Sequence, residues 1–206
     1  MTDTKPAKSP VQRLDPNQRK NMILDRTAVL IAREGVSAVS MERVGREAGV
    51  SKALVYAYFK NQITLLQALL LREQRRLSEQ QSSAVGRASD FKGRIQNTTR
   101  TYLRYFEENG VLLQRLLNEP SLAAVFEEHD RAERTRVVNS LARQMADTYE
   151  VPLRVAKVAT ELSMAMTGAA GEMISRGDIS RDKVEEIILC LFDGSMDSLG
   201  RHFSKP

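Results

Sequence analysis

The chain has 206 residues, of which 42% are hydrophobic and 28% charged, and it contains 11 glycines and 6 prolines. This composition favours an all-α protein of one or two globular domains and, because no apolar run approaches the roughly 18 residues that cross a bilayer, argues against a membrane span. Residues 1–66 hold 11 lysines and arginines against 6 acidic residues, whereas residues 67–206 hold 20 of each, so a polyanionic partner is expected for the first segment only.

The first 16 residues contain three prolines and three cationic side chains among small polar residues. Because they offer little apolar surface to bury, residues 1–16 are expected to form a flexible basic arm. Such an arm can contact a DNA groove or phosphates, or it can be a tail without a role, and the sequence leaves both open. No secretory signal is recognisable in it, which together with the single cysteine favours the reducing cytoplasm.

A first helix is predicted from Asn17 to Glu34, and two shorter helices follow between Ser40 and Phe59. Ser40 is a favourable N-cap, apolar residues recur after it at helical spacing, and Gly49 ends this helix. The next helix, capped by Ser51, is expected to turn apolar residues inward, namely Leu54, Val55 and Tyr58. Its outward residues are small or polar, namely Lys52, Ala53, Tyr56 and Ala57. Two short helices joined by such a turn are typical of the helix-turn-helix of DNA-binding proteins.

A set of positions within about residues 18–66 agrees in residue type and spacing with a known family. These are Gly35, Met41, Val44, Ala48 to Lys52, Val55, Tyr56, Tyr58 to Asn61, Leu65 and Leu66. The segment resembles the N-terminal domain of the TetR family of transcriptional regulators, and the rest of the chain matches that family in size and helical character only. The resemblance implies a homodimer that represses transcription from a palindromic DNA operator and is released by a small molecule. The alternative is a TetR-like activator or architectural DNA binder without a ligand.

A recognition helix needs small residues where it enters the major groove and hydrogen-bond donors where it meets bases or phosphates. The candidate DNA-binding residues are Ser40, Glu42, Arg43, Ser51, Lys52, Ala53, Leu54, Tyr56, Ala57, Tyr58 and Lys60. Tyr58 points either to phosphate or into the core, and Leu54 either contacts a thymine methyl group or packs inward. The family usually has Lys-Glu where this chain has Gln62-Ile63, which puts one phosphate contact in doubt.

The rest of the chain is predicted to be helical, which gives about nine helices in all. Asn61 suits the cap of a helix that runs to about Gln81, and residues 82–89 suit a break. Later helices are expected over residues 90–109, 111–118, 121–149 and 152–176, with a last helix capped by Ser180 and ending near Leu199. Residues 17–66 are then the DNA-binding domain, and residues 67–206 are a helical domain for ligand binding and dimerisation.

Two predicted features of the second domain concern its partners. Residues 167–171 place two glycines inside a helix, where small residues permit close approach of another helix, either of a second subunit or of the same one. The last helix adds a broad apolar face, formed by Val184, Ile187, Ile188, Leu191, Phe192, Met196 and Leu199. The family resemblance implies a twofold four-helix interface from these two helices.

A pocket for a hydrophobic or amphipathic effector is the other expectation. Its candidate residues are Tyr102, Phe106, Leu113, Leu117, Phe126, Met145, Tyr149, Met164 and Met173. Methionine adapts to irregular apolar ligands, but such a set at helical spacing is more often an ordinary core.

Catalytic and metal-binding chemistry finds little support in the sequence. Two histidines and one cysteine form no triad or metal set, and no glycine-rich phosphate loop is present, so neither an enzymatic activity nor a cofactor or metal is expected. Cys190 lies between Leu189 and Leu191 and is predicted to be a buried apolar residue, with a redox sensor as the alternative.

Overall fold

The structure, a computed structural model, describes residues 15–203, except for the side chains of residues 123–130 and 132–133. Within these residues the regular elements are eight α-helices and one 3-10 helix, so the expected all-α fold is confirmed. The α-helices are α1 (Pro16–Glu34), α2 (Met41–Glu47), α3 (Lys52–Tyr58), α4 (Gln62–Val85), α5 (Phe91–Leu117), α6 (Pro120–Tyr149), α7 (Leu153–Arg176) and α8 (Arg181–Phe203). The 3-10 helix, Val36–Ala38, was not expected from the sequence.

The first three α-helices begin and end close to the predicted residues because their caps are local. The predicted arm lies mostly outside the described residues, but its last two residues belong to the start of α1, where the Asp15 carboxylate accepts a hydrogen bond from the Asn17 N–H. Ser40 and Ser51 cap α2 and α3 as expected, since each hydroxyl accepts a backbone N–H of the first turn at 3.1 Å. Gly49 has φ +66° in the turn between them.

Helix α5 differs most from the sequence-based expectation. The prediction of a helix end at Gly110 and a separate helix over residues 111–118 was wrong, because α5 runs unbroken for 27 residues to Leu117. A Cβ atom at Gly110 would overlap the Cβ of Ser175 on α7. The glycine therefore permits close packing of α5 and α7, which offsets its low helix propensity.

Smaller differences concern helix ends. Helix α4 continues through residues 82–85, where a break was expected, and α8 extends four residues beyond Leu199. Pro120 occupies the first turn of α6, a position that proline tolerates because the missing N–H would have no helical partner. Gly177 ends α7 in the left-handed conformation, with φ +75°.

The hydrophobic core of the first helices continues into the rest of the molecule. Leu112 and Leu116 of α5 and Leu122 of α6 are buried in the same cluster as Ile23 and Leu30 of α1. The domain boundary at residue 66 remains a prediction, and apolar packing is continuous across it.

Candidate nucleic-acid interface

The pair α2 and α3 is held by a small buried surface and one close backbone contact. Met41, Val44 and Val55 are at most 5% exposed and pack on α1 and α4. Between the two helices, a Cβ atom at Gly45 would lie 2.9 Å from the Val50 carbonyl oxygen and 3.3 Å from the Lys52 nitrogen. Any side chain at position 45 would therefore push α3 away from α2. Gly45 was not among the residues predicted from the sequence, although a glycine inside a seven-residue helix is a recognisable signal.

The outward face of α3 matches the expectation from the sequence. Its exposed residues are Lys52, Ala53, Tyr56 and Ala57, and the Tyr56 ring is 48% exposed. Lys60 is exposed just after the helix. The face thus combines two small residues with a cation and a phenol, which suits entry into a groove and hydrogen bonding to its walls. Contact of these residues with DNA remains a prediction.

Two candidates for which the sequence left the orientation open, Tyr58 and Leu54, are partly buried. Tyr58 is partly buried against the hydrophobic core of the first helices, and its ring centroid lies 6.5 Å from that of Phe59. Leu54 is half-buried rather than fully exposed. For Tyr58, the structure therefore favours packing over a phosphate contact.

Ser40 and Ser51 have a structural task that is compatible with DNA contact. Each serine oxygen accepts the N–H of the residue three positions later, Arg43 and Leu54 respectively. A hydroxyl group has one donor as well as its acceptor sites. Each O–H can therefore still donate to a phosphate oxygen.

Arg43 is held by two carboxylates rather than pointing freely towards solvent. Its Nη2 lies 2.9 Å from Glu34 Oε1 and its Nε lies 3.1 Å from Glu47 Oε1. Arg33 contacts the same two carboxylates, at 2.7 Å and 3.1 Å. Hydrogen bonds from Arg33 and from Arg43 are the largest causes that lower the pKa of Glu34 and of Glu47, respectively. Arg43 would have to leave these partners to reach a base, which weakens its candidacy as a reader of guanine.

Cations flank the exposed face of α3. Lys20 of α1 lies with its Nζ 5.9 Å from the centre of the Phe59 ring, so α1 contributes a positive charge at the C-terminal end of α3. On α2, Glu42 is 73% exposed and its carboxylate is 3.9 Å from Lys52 Nζ. At that distance and exposure the ion pair is weak, so Lys52 can exchange it for a phosphate.

The candidate pocket residues do not come together in one place. Tyr102 stacks on Phe106 with ring centroids 4.5 Å apart, and Leu113 is buried in the same cluster. Met145 and Tyr149 belong to a separate cluster around Phe91. Leu117 and Met173 are 38% and 44% exposed, Met164 is half-buried, and the Phe126 side chain lies outside the described residues.

Other parts of the described chain add little chemistry. An open cavity of about 450 Å³ lies beside α6 and is lined by Arg136, Asn139, Ser140, Arg143 and Gln144. The expectation that Cys190 is buried was wrong: it is exposed on α8. Among the described residues, no group of histidine, cysteine and acidic side chains is arranged to hold a metal, and no helix is long and apolar enough to span a bilayer.

Comparisons with known proteins address the family and the fold separately. Residues 23–69 match the model of a family described as bacterial regulatory proteins, tetR family. No curated protein matches the chain. The fold is similar to that of a TetR-like transcriptional regulator from Rhodococcus sp. RHA1, with a TM-score of 0.71 and 17% identity over 87% of this chain and 96% of that one.

Two further solved structures give similar values. A TetR-family transcriptional regulator from Streptomyces coelicolor has a TM-score of 0.68 and 19% identity, with 88% of this chain and 96% of that chain covered. The fatty acid degradation regulator FadR from Bacillus halodurans has a TM-score of 0.69 and 14% identity, with 86% and 97% covered. At such identities the likeness is one of fold, and it extends over both the first helices and the body.

Proposed function

We propose, from the TetR-family helix-turn-helix domain that this chain carries at residues 23–69, that the protein is a DNA-binding transcriptional regulator. The observation that carries the proposal is the exposed face of α3. Lys52, Ala53, Tyr56 and Ala57 project from a helix whose opposite side is fixed in the core by Val55. Such a helix can enter the major groove without unfolding any part of the domain. A non-enzymatic role in the cytoplasm, where bacterial DNA is found, goes with this function.

The DNA contacts that we propose differ in kind. Tyr56 and Lys52 carry the hydrogen-bond donors on the exposed face of α3, so we assign them to base edges or adjacent phosphates. Ser40, Ser51 and Lys60 lie at helix ends and fit phosphate contacts. Arg43 serves mainly to hold α2 on α1 through Glu34, and its ion pair with Glu47 of the same helix keeps its side chain in place.

We further propose a homodimer formed through α7 and α8. One side of α7 exposes Val158, Leu162 and Met166 at intervals of four residues, and Val158 and Leu162 are both 61% exposed. On α8, Ile187 and Leu191 are 45% and 52% exposed, whereas Val184, Ile188 and Phe192 are buried. A Cβ atom at Gly168 or Gly194 would meet nothing within 4 Å, so a second molecule could approach closely there. This exposed apolar side supports a twofold interface that pairs two recognition helices on a palindromic operator.

Repression and release by a small hydrophobic or amphipathic effector complete the proposal. The cluster of Tyr102, Phe106 and Leu113 between α4, α5 and α7 is where we expect an effector to bind. An effector lowers operator affinity only as far as it binds more tightly to a conformation in which the two helix-turn-helix domains of the dimer are wrongly spaced for the operator. An activator without a ligand would instead keep its operator affinity in every effector screen.

The test is binding of the purified protein to the DNA upstream of its own gene and to unrelated DNA of equal length, across a salt series. Non-specific binding falls steeply with salt because it depends on counterion release. We expect the upstream fragment to remain bound at salt concentrations that release the control. The proposal would be contradicted if both fragments were released at the same salt concentration and if a selection from the whole genome also yielded no fragment that stays bound at higher salt.

The side chains are tested in the same assay. We expect Lys52→Ala and Tyr56→Ala each to weaken operator binding by about tenfold or more, with unchanged thermal unfolding. Arg87→Ala is the matched control, since it removes an exposed cation from the turn between α4 and α5. Wild-type affinity in both α3 variants would show that this face does not contact DNA.

A further inference from the structure

We infer that Asp25, Arg72, Glu73 and Tyr105 form a positioning cluster that fixes the orientation of the first helices on the body. Its members lie on three helices: Asp25 on α1, Arg72 and Glu73 on α4, and Tyr105 on α5. The inference rests on the proposed function only for its effect on DNA binding. The cluster itself is a feature of the fold.

The cluster is centred on two adjacent charged residues that are almost fully buried. The side chains of Arg72 and Glu73 are 4% and 2% exposed. Arg72 Nε donates to Glu73 Oε1 at 3.0 Å, and its Nη1 donates to Asp25 Oδ1 at 2.8 Å and to the Asn21 carbonyl at 3.2 Å. Arg76, which is half-exposed, donates to the same Glu73 oxygen at 3.1 Å. Arg72 thus binds α1 through a side chain and a backbone carbonyl at once.

Tyr105 provides the link to the body. Its phenol is 2% exposed and donates to Glu73 Oε2 at 2.7 Å. Burial, reinforced by the hydrogen bond to Glu73, raises the pKa of Tyr105, so the donor proton is retained at any physiological pH. Each oxygen of Glu73 therefore has a defined partner: Oε1 faces two arginines and Oε2 faces the phenol.

Such a cluster is poorly explained by stability alone. Removing charges from water is costly, and apolar residues of the same volume are often equally stabilising at buried positions. A hydrogen-bonded cluster adds geometric specificity, because its bonds form only when the three helices have one particular mutual arrangement. A second contact restricts that arrangement further: the Arg115 guanidinium of α5 donates to the Ile31 carbonyl near the end of α1. Helix α1 is thereby held in its middle part, at Asn21 and Asp25, and near its C-terminal end, at Ile31, and two points of attachment define its tilt.

The cluster also continues towards α7. Tyr105 packs with Phe106 and Tyr102, and these two rings lie against Gly171, where a Cβ atom would be 2.8 Å from Tyr102 and 2.9 Å from Phe106. A displacement of α7 would therefore move these rings, and with them α5. Such a movement would strain the Tyr105–Glu73 bond, because this bond joins α5 to α4. The cluster is thus placed to convert a shift in the body into a change in the tilt of α1.

The experiment uses the full-length protein with Tyr105→Phe, which removes only the hydroxyl, and with Asp25→Asn, which weakens the partner of Arg72 on α1. Tyr149→Phe is the matched control, since its half-buried ring lies in a different cluster. Spin labels are placed at the exposed positions Val29→Cys on α1 and Leu153→Cys on α7, in a Cys190→Ser background and diluted with unlabelled protein. The distance distribution is measured well below the melting temperature, where a loss of stability alone leaves it unchanged.

We expect Tyr105→Phe and Asp25→Asn to broaden or shift the distance distribution, and Tyr149→Phe to leave it as in the wild type. On DNA, both variants should lose about fivefold or more in affinity for a full operator while keeping their affinity for a single half-site. Unchanged distances in both variants, or equal losses on full and half-sites, would overturn the inference. A wild-type protein that binds no DNA would refute the proposed function, while the distances would still decide whether the cluster sets the tilt of α1.

Discussion

Three glycines of this chain stand where a methyl group would meet another part of the backbone or a ring. Gly45 faces the start of α3, Gly110 faces Ser175, and Gly171 faces Tyr102 and Phe106. In each case the neighbour lies on a different element, so the requirement for glycine comes from packing between helices and not from a turn. All three have negative φ. At these positions glycine therefore sets how closely two elements approach.

For Gly45→Ala we expect destabilisation by about 1–3 kcal/mol, because the added methyl group meets the fixed Val50 carbonyl and overpacks the contact between α2 and α3. Operator affinity should fall as well, since α3 would be displaced while its DNA-facing side chains are intact. Urea unfolding and operator titration measure the two effects. Gly86→Ala is the control: its Cβ would lie 3.7 Å from the nearest atom, so its stability should stay within about 0.5 kcal/mol of the wild type. Equal stability of both variants would mean that α2 and α3 tolerate a wider spacing.

At the scale of elements, α1 and α2 are joined by a surface cluster of charges: Arg33, Glu34, Arg43 and Glu47. The lowered pKa values of Glu34 and Glu47 mean that the folded state favours their ionised forms. Their contribution to stability is therefore complete above the ordinary value of 4.5 and is lost as the pH falls through the lowered folded values.

The stability that this cluster of charges gives to the contact between α1 and α2 should therefore depend on pH. We expect an Arg33→Ala, Arg43→Ala double variant to melt below the wild type at about pH 7, and the gap to narrow as the pH falls below 4.5. Thermal unfolding from about pH 7 to about pH 3 measures the gap. A gap that stays constant over this range would show that the arginines act through packing and not through the carboxylates.

Element boundaries were predictable from the sequence where a cap residue acts within its own turn, as Ser40, Ser51 and Asn61 do. The continuity of α5 was not predictable, because a glycine such as Gly110 can mark either the end of a helix or a close contact with a neighbouring helix, and the sequence does not distinguish the two. The outward face of α3 followed from helical periodicity alone. The salt bridge between Arg43 and Glu34 did not, since it joins two helices whose crossing is a tertiary feature, whereas Arg43 and Glu47 are four residues apart on α2. The positioning cluster was not predictable either: the residues from Arg72 to Arg76 are all polar, which favours exposure, yet Arg72 and Glu73 are buried because their partners lie on α1 and α5.

At the scale of the whole molecule, the helix-turn-helix domain and the helical domain share one hydrophobic cluster, while α7 and α8 keep an apolar side that no described residue covers. Apolar residues at this exposure are unremarkable when scattered, but here they recur at helical spacing on two adjacent helices. On the same two helices, a Cβ atom added at Gly168 or Gly194 would meet no described atom within 4 Å outside its own helical turn. A dimer through this side would hold the two recognition helices at a defined distance from each other, because the helix-turn-helix domain of each subunit is joined to its own helical domain through α4 and α5.

Leu162→Glu tests this arrangement, since it places a charge at the centre of the proposed interface on a side chain that is 61% exposed in the single chain. We expect the variant to be monomeric by light scattering, because a buried unpaired carboxylate opposes association strongly. Its folding should be unchanged, and its affinity should fall for a full operator while that for a half-site is retained. Leu153→Glu is the matched control: it is also exposed on α7, at 43%, but lies outside the spacing of Val158, Leu162 and Met166. If Leu162→Glu is still a dimer and Leu153→Glu is a monomer, subunits meet through the other side of α7. If both variants remain dimeric, the proposed interface is wrong and the exposed stripe needs another partner.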